Sequence, residues 1–238
     1  RHQLQSPTGA SFIYIATSVD ELAPNIIWRR GWEAISLKVF SELCQESSRI
    51  LDVGAYSGIF SLVAATDNSS VGIVAVEPNP LILPTLKKNV SANGFDDRIQ
   101  IVEAAASDSG GHGVLYLNSE SMQSSLERGF GTTPQTGEVG VPMRTLDSIV
   151  DDYGLADLVK IDVEGAELRV LRGSTSLIER ARPTFILELL NVRAFESAMT
   201  WLGEHGYESP IHLGAFEATR AEKWQDDPVY CNYLFSSS

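Results

Sequence analysis

From Ile50 onward the chain alternates short aliphatic runs with amphipathic stretches, the pattern of βα units wound into a mostly parallel sheet. The aliphatic runs fall at 50–53, 71–76, 99–102, 158–163 and 184–189, each of strand length. Between them the sequence carries helix signals. Ser57-Gly58 leads into the apolar stretch 59–65, Asn79-Pro80 caps and starts 81–93, Thr145 opens 146–153, and Gly165 opens 166–172. Gly94, Gly154 and Gly173 stand where those helices should stop. Ahead of the first strand, Ile35, Val39, Phe40 and Leu43 share one stripe of 32–44 and predict an extra helix packed against the sheet. Past the fifth strand, 193–203 reads as a helix, 207–212 as a weak strand and 229–235 as a stronger one, an antiparallel pair closing one sheet edge. Residues 129–140, rich in Gly, Thr and Pro and without periodicity, read as a surface loop near the site.

Composition narrows the classes. A length of 238 residues with 43% hydrophobic and 21% charged residues is that of an ordinary globular chain with a sizeable core. We divide it into an N-terminal extension, residues 1–31, and one domain, residues 32–238. The formal net charge of −13 disfavours a nonspecific phosphate-backbone binder, so no nucleic-acid partner is expected. Cys44 and Cys231 form no CxxC pair, and His2, His112, His205 and His212 have no ligand spacing, so no metal is expected. There is no apolar run of about 18 residues and no signal-peptide layout, which predicts a cytoplasmic protein with no membrane partner.

The sharpest local feature is Asp52-Val53-Gly54-Ala55-Tyr56-Ser57-Gly58, a turn that follows an aliphatic strand and opens a helix. In open α/β sheets ligands bind beyond the carboxyl ends of the strands, and glycines there let a ligand approach the backbone. The next strand ends in Val76-Glu77-Pro78-Asn79, and Glu77 lies 19 residues after Gly58, the spacing of an acidic ribose clamp. A dinucleotide and a phosphate-free nucleoside both remain open. The turn is GxxxG instead of GxGxxG, and Asp52 at its mouth repels phosphate and attracts a cation, which suits S-adenosylmethionine with its sulfonium and ammonium groups.

Lys160, Asp162 and Glu164 alternate with Val159, Ile161 and Val163 at the end of the fourth strand, where a buried strand is normally apolar throughout. One reading turns Asp162 and Glu164 toward the reacting groups. The other pairs Lys160 with one of the acids and makes Glu164 a first-turn charge of the next helix. After the third strand, the small residues of 104–107, with Ala106 and Ser107, leave room for a flat adenine ring, and Ser107 or Asp108 is placed to bond its amine. Ser124, Ser125 and Glu188 are weaker acceptor-side candidates. Glu188 has the alternative of pairing with Arg144 or Arg193.

These segments, together with Lys87-Lys88-Asn89, Met143-Arg144-Thr145-Leu146-Asp147 and Lys160-Ile161-Asp162-Val163-Glu164-Gly165-Ala166-Glu167, resemble the FkbM family of S-adenosylmethionine-dependent methyltransferases over about residues 32–235. Tyr56 departs from the pattern, in which Asn is more frequent. The resemblance implies a Rossmann-like class I methyltransferase fold: a mostly parallel seven-stranded sheet with an antiparallel edge strand and helices on both faces. It implies S-adenosyl-L-methionine as cofactor, held by Glu33, Asp52, Gly54, Ala55, Tyr56, Ser57, Gly58, Glu77, Pro78, Asn79, Ala106, Ser107 and Asp162. Glu33 and Trp32 are placed to cap the methionine end. Asp162 and Glu164 are the catalytic candidates, Asp162 first, with His112 a distant third. The implied reaction is O-methylation of a hydroxyl on a sugar, polyketide or related small metabolite.

Three rivals accompany this reading. An NAD(P)-dependent oxidoreductase needs the GxGxxG turn that is absent, and a non-catalytic nucleoside-binding module leaves the acidic run at 162–167 without a purpose. A metal-dependent variant places Mg²⁺ between Asp162 and Glu188.

Overall fold

The computed structural model describes residues 1–28, 33–119, 121–215, 217–225, 227 and 230–237. A hairpin of β1 (His2–Gln5) and β2 (Ser11–Tyr14) is followed by α1 (Ala23–Trp28) and α2 (Ala34–Cys44). Then come β3 (Arg49–Val53), α3 (Ile59–Asp67), β4 (Gly72–Val76), α4 (Leu83–Ala92) and β5 (Ile99–Val102). A small sheet is built from β6 (Ala105–Ala106), β7 (Gly111–Asn118) and β8 (Gln135–Arg144). The rest is α5 (Leu146–Tyr153), β9 (Leu158–Ile161), α6 (Glu167–Arg172), α7 (Thr175–Ala181), β10 (Thr184–Glu188), α8 (Val192–Glu204), β11 (Ile211–Leu213), β12 (Ala218–Arg220) and β13 (Asn232–Phe235).

The main sheet has the order β12-β11-β13-β10-β9-β3-β4-β5. Its five strands β10, β9, β3, β4 and β5 are parallel, and β13, β11 and β12 continue it antiparallel. This is the expected Rossmann-like sheet with one strand more than the seven foreseen. The antiparallel portion is three strands, because the short exposed β12 pairs with β11 and had no apolar signature of its own.

Alternation along the strands divides two cores. Leu51, Val53, Val74, Val76, Val159, Ile161, Phe185 and Leu187 face α5, α6, α7 and α8. Ile50, Ile73, Ala75, Leu158 and Ile186 face α2, α3 and α4, and Phe12 and Tyr14 of the N-terminal hairpin join that side. Helix α5 starts where Thr145 accepts a hydrogen bond from the Ser148 N–H and stops at Gly154, as its capping residues predict. Helix α4 begins later than its Asn-Pro signal, because Asn79 first closes a turn by accepting from the Leu81 N–H at 3.0 Å.

The stretch 129–140 is not wholly loop. Residues from Gln135 onward form β8, which pairs antiparallel with the unforeseen β7. The pair buries only a small cluster of its own, Leu115 and Val141 with Leu117, Val139 and Met143 against them, set among glycines and polar residues that read as loop.

The chain runs outward from β3 through β4 to β5, then returns to the other side of β3 as β9 and β10. The order of strands therefore reverses beside β3. In doubly wound sheets that reversal opens a crevice at the carboxyl ends of the strands.

Candidate active site

The crevice holds a cavity of about 350 Å³ walled by residues from the ends of β3, β4, β9 and β10. Of the glycine turn, Gly54, Ala55 and Tyr56 line it, and Asp52, Ser57 and Gly58 do not. Asp52 lies behind the turn, where its Oδ2 accepts from the Ser61 N–H at 3.0 Å and the Ser61 hydroxyl at 2.6 Å. It caps α3 from the sheet, and the expectation that it faces a bound cation is corrected on that ground. Ser57 is fully buried against the Tyr14 hydroxyl at 2.6 Å. Gly58 meets Leu86, with a built Cβ only 2.5 Å from its Cδ1.

Gly54 has φ +81°, and a Cβ there would stand 1.7 Å from the Asp162 carbonyl oxygen. The glycine therefore lets β3 pass the backbone of the strand beside it. Tyr56, at φ 50°, turns its N–H to Glu77 Oε2 at 2.8 Å. The other oxygen of Glu77 accepts from the Asn79 N–H at 2.7 Å. Burial pushes the Glu77 carboxyl up to about 7 against those two bonds. Pro78, Asn79, Ala105 and Ala106 continue this side of the cavity. Ser107 is buried away from the wall, its N–H on the Arg144 carbonyl and its hydroxyl on Asp108. Asp108 is exposed and paired with Arg169. Neither residue is a wall group, so the adenine-amine expectation for them is corrected. His112 is exposed on β7 and also off the wall.

On the opposite side the wall consists of Glu33, Lys160, Asp162, Glu164 and Glu188. Strand parity explains the gathering. Lys160 is in register with Asp52 on β3 and Ile186 on β10, so two residues further along Asp162 and Glu188 rise on the same face. Lys160 Nζ binds Asp162 Oδ2 at 2.9 Å and lies 4.5 Å from the Phe60 ring centre. Glu188 hydrogen-bonds to Asp162 and not to Arg144 or Arg193, the partners foreseen for it; Arg144 binds Asp152 instead. Oxygens of Asp162, Glu164 and Glu188 lie within 4.8 Å of one another. Glu33, at the left-handed start of α2, accepts from the Asn232 amide at 3.1 Å. Trp32, its expected companion, lies outside the described residues.

Charge sorts these acids. Burial acts to raise Asp162, but the Lys160 ammonium and the bonds from Glu188 and Lys160 hold it below the usual carboxylate range. Burial, then the charge of Asp162, pushes Glu188 well up. Burial and the charges of Asp162 and Glu167 take Glu164 to about 9, and burial takes Glu33 to about 7 against the pull of Lys160. Glu164 sits on a strained turn at φ 54°, fixed by the Ser125 hydroxyl on its carbonyl at 2.6 Å.

Sequence reasoning missed Leu22 and Asn25 from the N-terminal segment and Phe60, Met122 and Leu126 on the wall. Among the described residues no helix is long and apolar enough to cross a membrane.

The family model described as the methyltransferase FkbM domain matches residues 52–209. The chain is 28% identical over 189 residues to methyltransferase sdnD of Sordaria araneosa, covering 65% of this chain and 73% of that one. It is 30% identical over 137 residues to O-methyltransferase imqG of Aspergillus flavus, covering 55% of this chain and 51% of the other. Among solved structures it resembles methyltransferase FkbM from Methylobacillus flagellatus, with TM-score 0.53 and 17% identity over 79% of this chain. It spans 43% of that bacterial chain, and about half of imqG.

Proposed function

The chain belongs to the FkbM family of S-adenosylmethionine-dependent methyltransferases, and from that premise we propose that it methylates a hydroxyl on a sugar, polyketide or related small metabolite. The observation that carries the cofactor fit is the charge of the wall. Glu33, Glu77, Asp162, Glu164 and Glu188 face a cavity whose only Lys, Arg or His, among the described residues, is Lys160, already paired with Asp162. A pyrophosphate finds no free cation there, whereas a sulfonium and an ammonium find carboxylates.

Each oxygen of Glu77 takes one backbone N–H and keeps a lone pair for a ribose hydroxyl. Ala105, Ala106 and Val76 offer an apolar surface for adenine. Gly54, Ala55 and Tyr56 supply the backbone turn beneath the nucleoside, with Pro78 and Asn79 beside its ribose. Glu33 and Asp162 hold the amino-acid end. When bound, S-adenosylmethionine supplies an electrophilic methyl group. The protein orients the acceptor oxygen in line with it, and near-attack positioning is worth roughly 7–11 kcal/mol.

An aliphatic hydroxyl must lose its proton as it attacks, and a placed base adds roughly 10²–10⁴-fold. Asp162, kept ionised beside Lys160, is the first candidate for that base, and Glu164 is second because its carboxyl, raised to about 9, holds its own proton at neutral pH. Asp162 also fixes Lys160 and Glu188 around the reacting atoms. The word O-methyltransferase in the name of imqG supports oxygen as the acceptor atom. The net charge of −13 supports a small molecule over a nucleic acid. Two unpaired buried cysteines support a reducing, cytoplasmic setting. We likewise propose an N-terminal extension, 1–31, and one methyltransferase domain over residues 32–238; Phe12, Tyr14 and Leu22 of the extension join the domain's core.

Thermal melting with S-adenosylhomocysteine and with NAD tests the cofactor reading. Ligand at 100 times its Kd stabilises by about 2.7 kcal/mol, or about 5–11 °C for a chain of this size. Stabilisation by NAD alone would overturn the reading. Transfer of labelled methyl from S-adenosylmethionine to a panel of hydroxylated metabolites tests the acceptor class, and labelling of RNA alone would overturn it.

A further inference from the structure

The cofactor reading uses the glycine turn, Glu77 and the strand ends, and it leaves several wall residues from outside the main sheet without a task. Leu22 directly precedes α1, Asn25 lies within it, and Met122 and Ser124 come from the connection between β7 and β8. Both segments are fastened to the cofactor side of the cavity. The Tyr56 hydroxyl donates to the Val19 carbonyl and accepts from the Glu21 N–H, both at 3.2 Å. Asp20 accepts from the Tyr14 hydroxyl at 2.7 Å and from the Ala23 N–H at 3.2 Å. Ser124 accepts from the Asn79 amide at 3.4 Å, and Ser125 donates to the Glu164 carbonyl at 2.6 Å. Leu22 and Met122 belong with Ile59 and Tyr56 to one apolar cluster, and all four line the cavity. Leu22 precedes the stretch that matches the family model, so this part of the wall is supplied by the chain's own N-terminal segment.

What these segments offer a ligand is mostly carbon. Their polar groups on the wall are the Asn25 amide and the Ser124 hydroxyl. Glu164, taken to about 9 by burial and the charges of Asp162 and Glu167, and Glu188, pushed well up by burial and by Asp162, hold their protons at neutral pH. Lys160, the only Lys, Arg or His on the wall among the described residues, is bound to Asp162 at 2.9 Å. An anionic acceptor therefore finds no free cation. A free sugar leaves most of its hydroxyls unpaired against leucine and methionine, each at a cost once water is excluded. We propose that Leu22 and Met122 select the acceptor: an uncharged molecule that presents one hydroxyl to Asp162 and a sizeable apolar body to these two side chains, in preference to a free sugar or a phosphorylated metabolite. The inference rests on the cofactor reading above and narrows the acceptor class.

Three alcohols carry the same primary hydroxyl on a six-membered ring: cyclohexylmethanol, glucose and glucose 1-phosphate. Saturation-transfer NMR of the full chain loaded with S-adenosylhomocysteine should give cyclohexylmethanol at least about tenfold tighter binding than either sugar, the worth of about two buried methylene groups. In Met122→Gln and in Leu22→Asn that margin should fall at least about threefold, while calorimetric affinity for S-adenosylhomocysteine changes less than about twofold. The wild-type order needs no variant, and Met122 is only half-buried, so its variant tests the wall even if Leu22→Asn fails to fold. A second apolar cavity, of about 550 Å³ between the N-terminal hairpin and α2, is lined in part by Leu37. Leu37→Gln should leave the margin unchanged; loss of cyclohexylmethanol binding in that variant would put the alcohol in the second cavity and overturn the inference. No binding of cyclohexylmethanol by the wild type, a sugar bound as tightly, or a margin unchanged in the folded wall variants would overturn it too and leave the cofactor reading standing. Failure of S-adenosylhomocysteine itself to bind would overturn both.

Discussion

Replacing Gly54 with alanine should unseat the whole site, and the expected size can be built from the geometry. A Cβ at this position would stand 1.7 Å from the Asp162 carbonyl oxygen, whereas real contacts stay beyond 3.0 Å, so the backbone of one strand must move by more than an ångström. That carbonyl is rigid main chain. The adjacent Asp162 N–H donates to Val53 at 2.9 Å, and a shift of that size breaks the bond, leaving a buried donor and acceptor at about 1–3 kcal/mol. The left-handed φ of +81° adds about 1–2 kcal/mol for any L side chain. Repacking of Val53 and Ile161, both within the core, adds about 1–3 kcal/mol more. A loss of about 4 kcal/mol or more is expected, which lowers the melting temperature by about 8–16 °C. Two controls divide the terms. At Gly129 the φ is +74° with nothing within 4 Å, so Gly129→Ala isolates conformational strain at about 1–2 kcal/mol. Gly140 has neither positive φ nor a neighbour within 4 Å, so Gly140→Ala should be neutral. Thermal melts of the three variants read the series. If Gly54→Ala melts no lower than Gly129→Ala, the close approach of β3 to the Asp162 backbone is refuted as the reason for this glycine.

Glu77→Ala should weaken S-adenosylhomocysteine binding by at least about tenfold, the loss of a pair of hydroxyl bonds to a charged acceptor; wild-type affinity by calorimetry would remove Glu77 from the site. Tyr56→Phe deletes the hydroxyl that accepts from the Glu21 N–H and donates to the Val19 carbonyl, both at 3.2 Å. Hydrogen exchange at the Glu21 amide should quicken about fivefold, the effect of losing about 1 kcal/mol of local stability, and unchanged exchange would show that the N-terminal segment is not tied to the glycine turn there. The pH dependence of donor binding follows from Glu164, raised to about 9 by burial and by Asp162 and Glu167, with Lys160 opposing and Glu188 close by. Only its anionic form attracts a sulfonium, so binding of S-adenosylmethionine relative to S-adenosylhomocysteine should strengthen as pH rises toward about 9. Glu164→Gln retains the ligands' own titration and should flatten the remainder; identical profiles for both proteins would refute the assignment.

Much of this architecture is readable along the chain because its causes are local. The unbroken buried runs of β3, β4, β9 and β10, the Thr145 cap and the glycine stops act between residues a few positions apart, so the Rossmann-like sheet and most helix bounds follow from them. The Glu77 spacing is legible for the same reason, since one βα unit spans a nearly constant length. The hairpin of β7 and β8 escaped notice because its strands are solvated and are stabilised by each other across a gap that composition marks as loop. The position of Asp52 was misjudged at the level of the side chain. Proximity to Gly54 suggested the ligand, yet Ser61, nine residues on, offers both an N–H and a hydroxyl behind the turn.

By itself the amino-acid sequence determined which segments form strands and helices, where the glycine turn lies, and that acids crowd the end of the fourth aliphatic strand. Tertiary structure alone decided which acids meet. Register between β9, β10 and β13 sets Asp162 beside Glu188 and Asn232 near Glu33, residues separated by up to 199 positions. Local periodicity tells a side chain which face of its strand to occupy. What it finds there depends on the neighbouring strands, and that pairing is settled only when the sheet assembles.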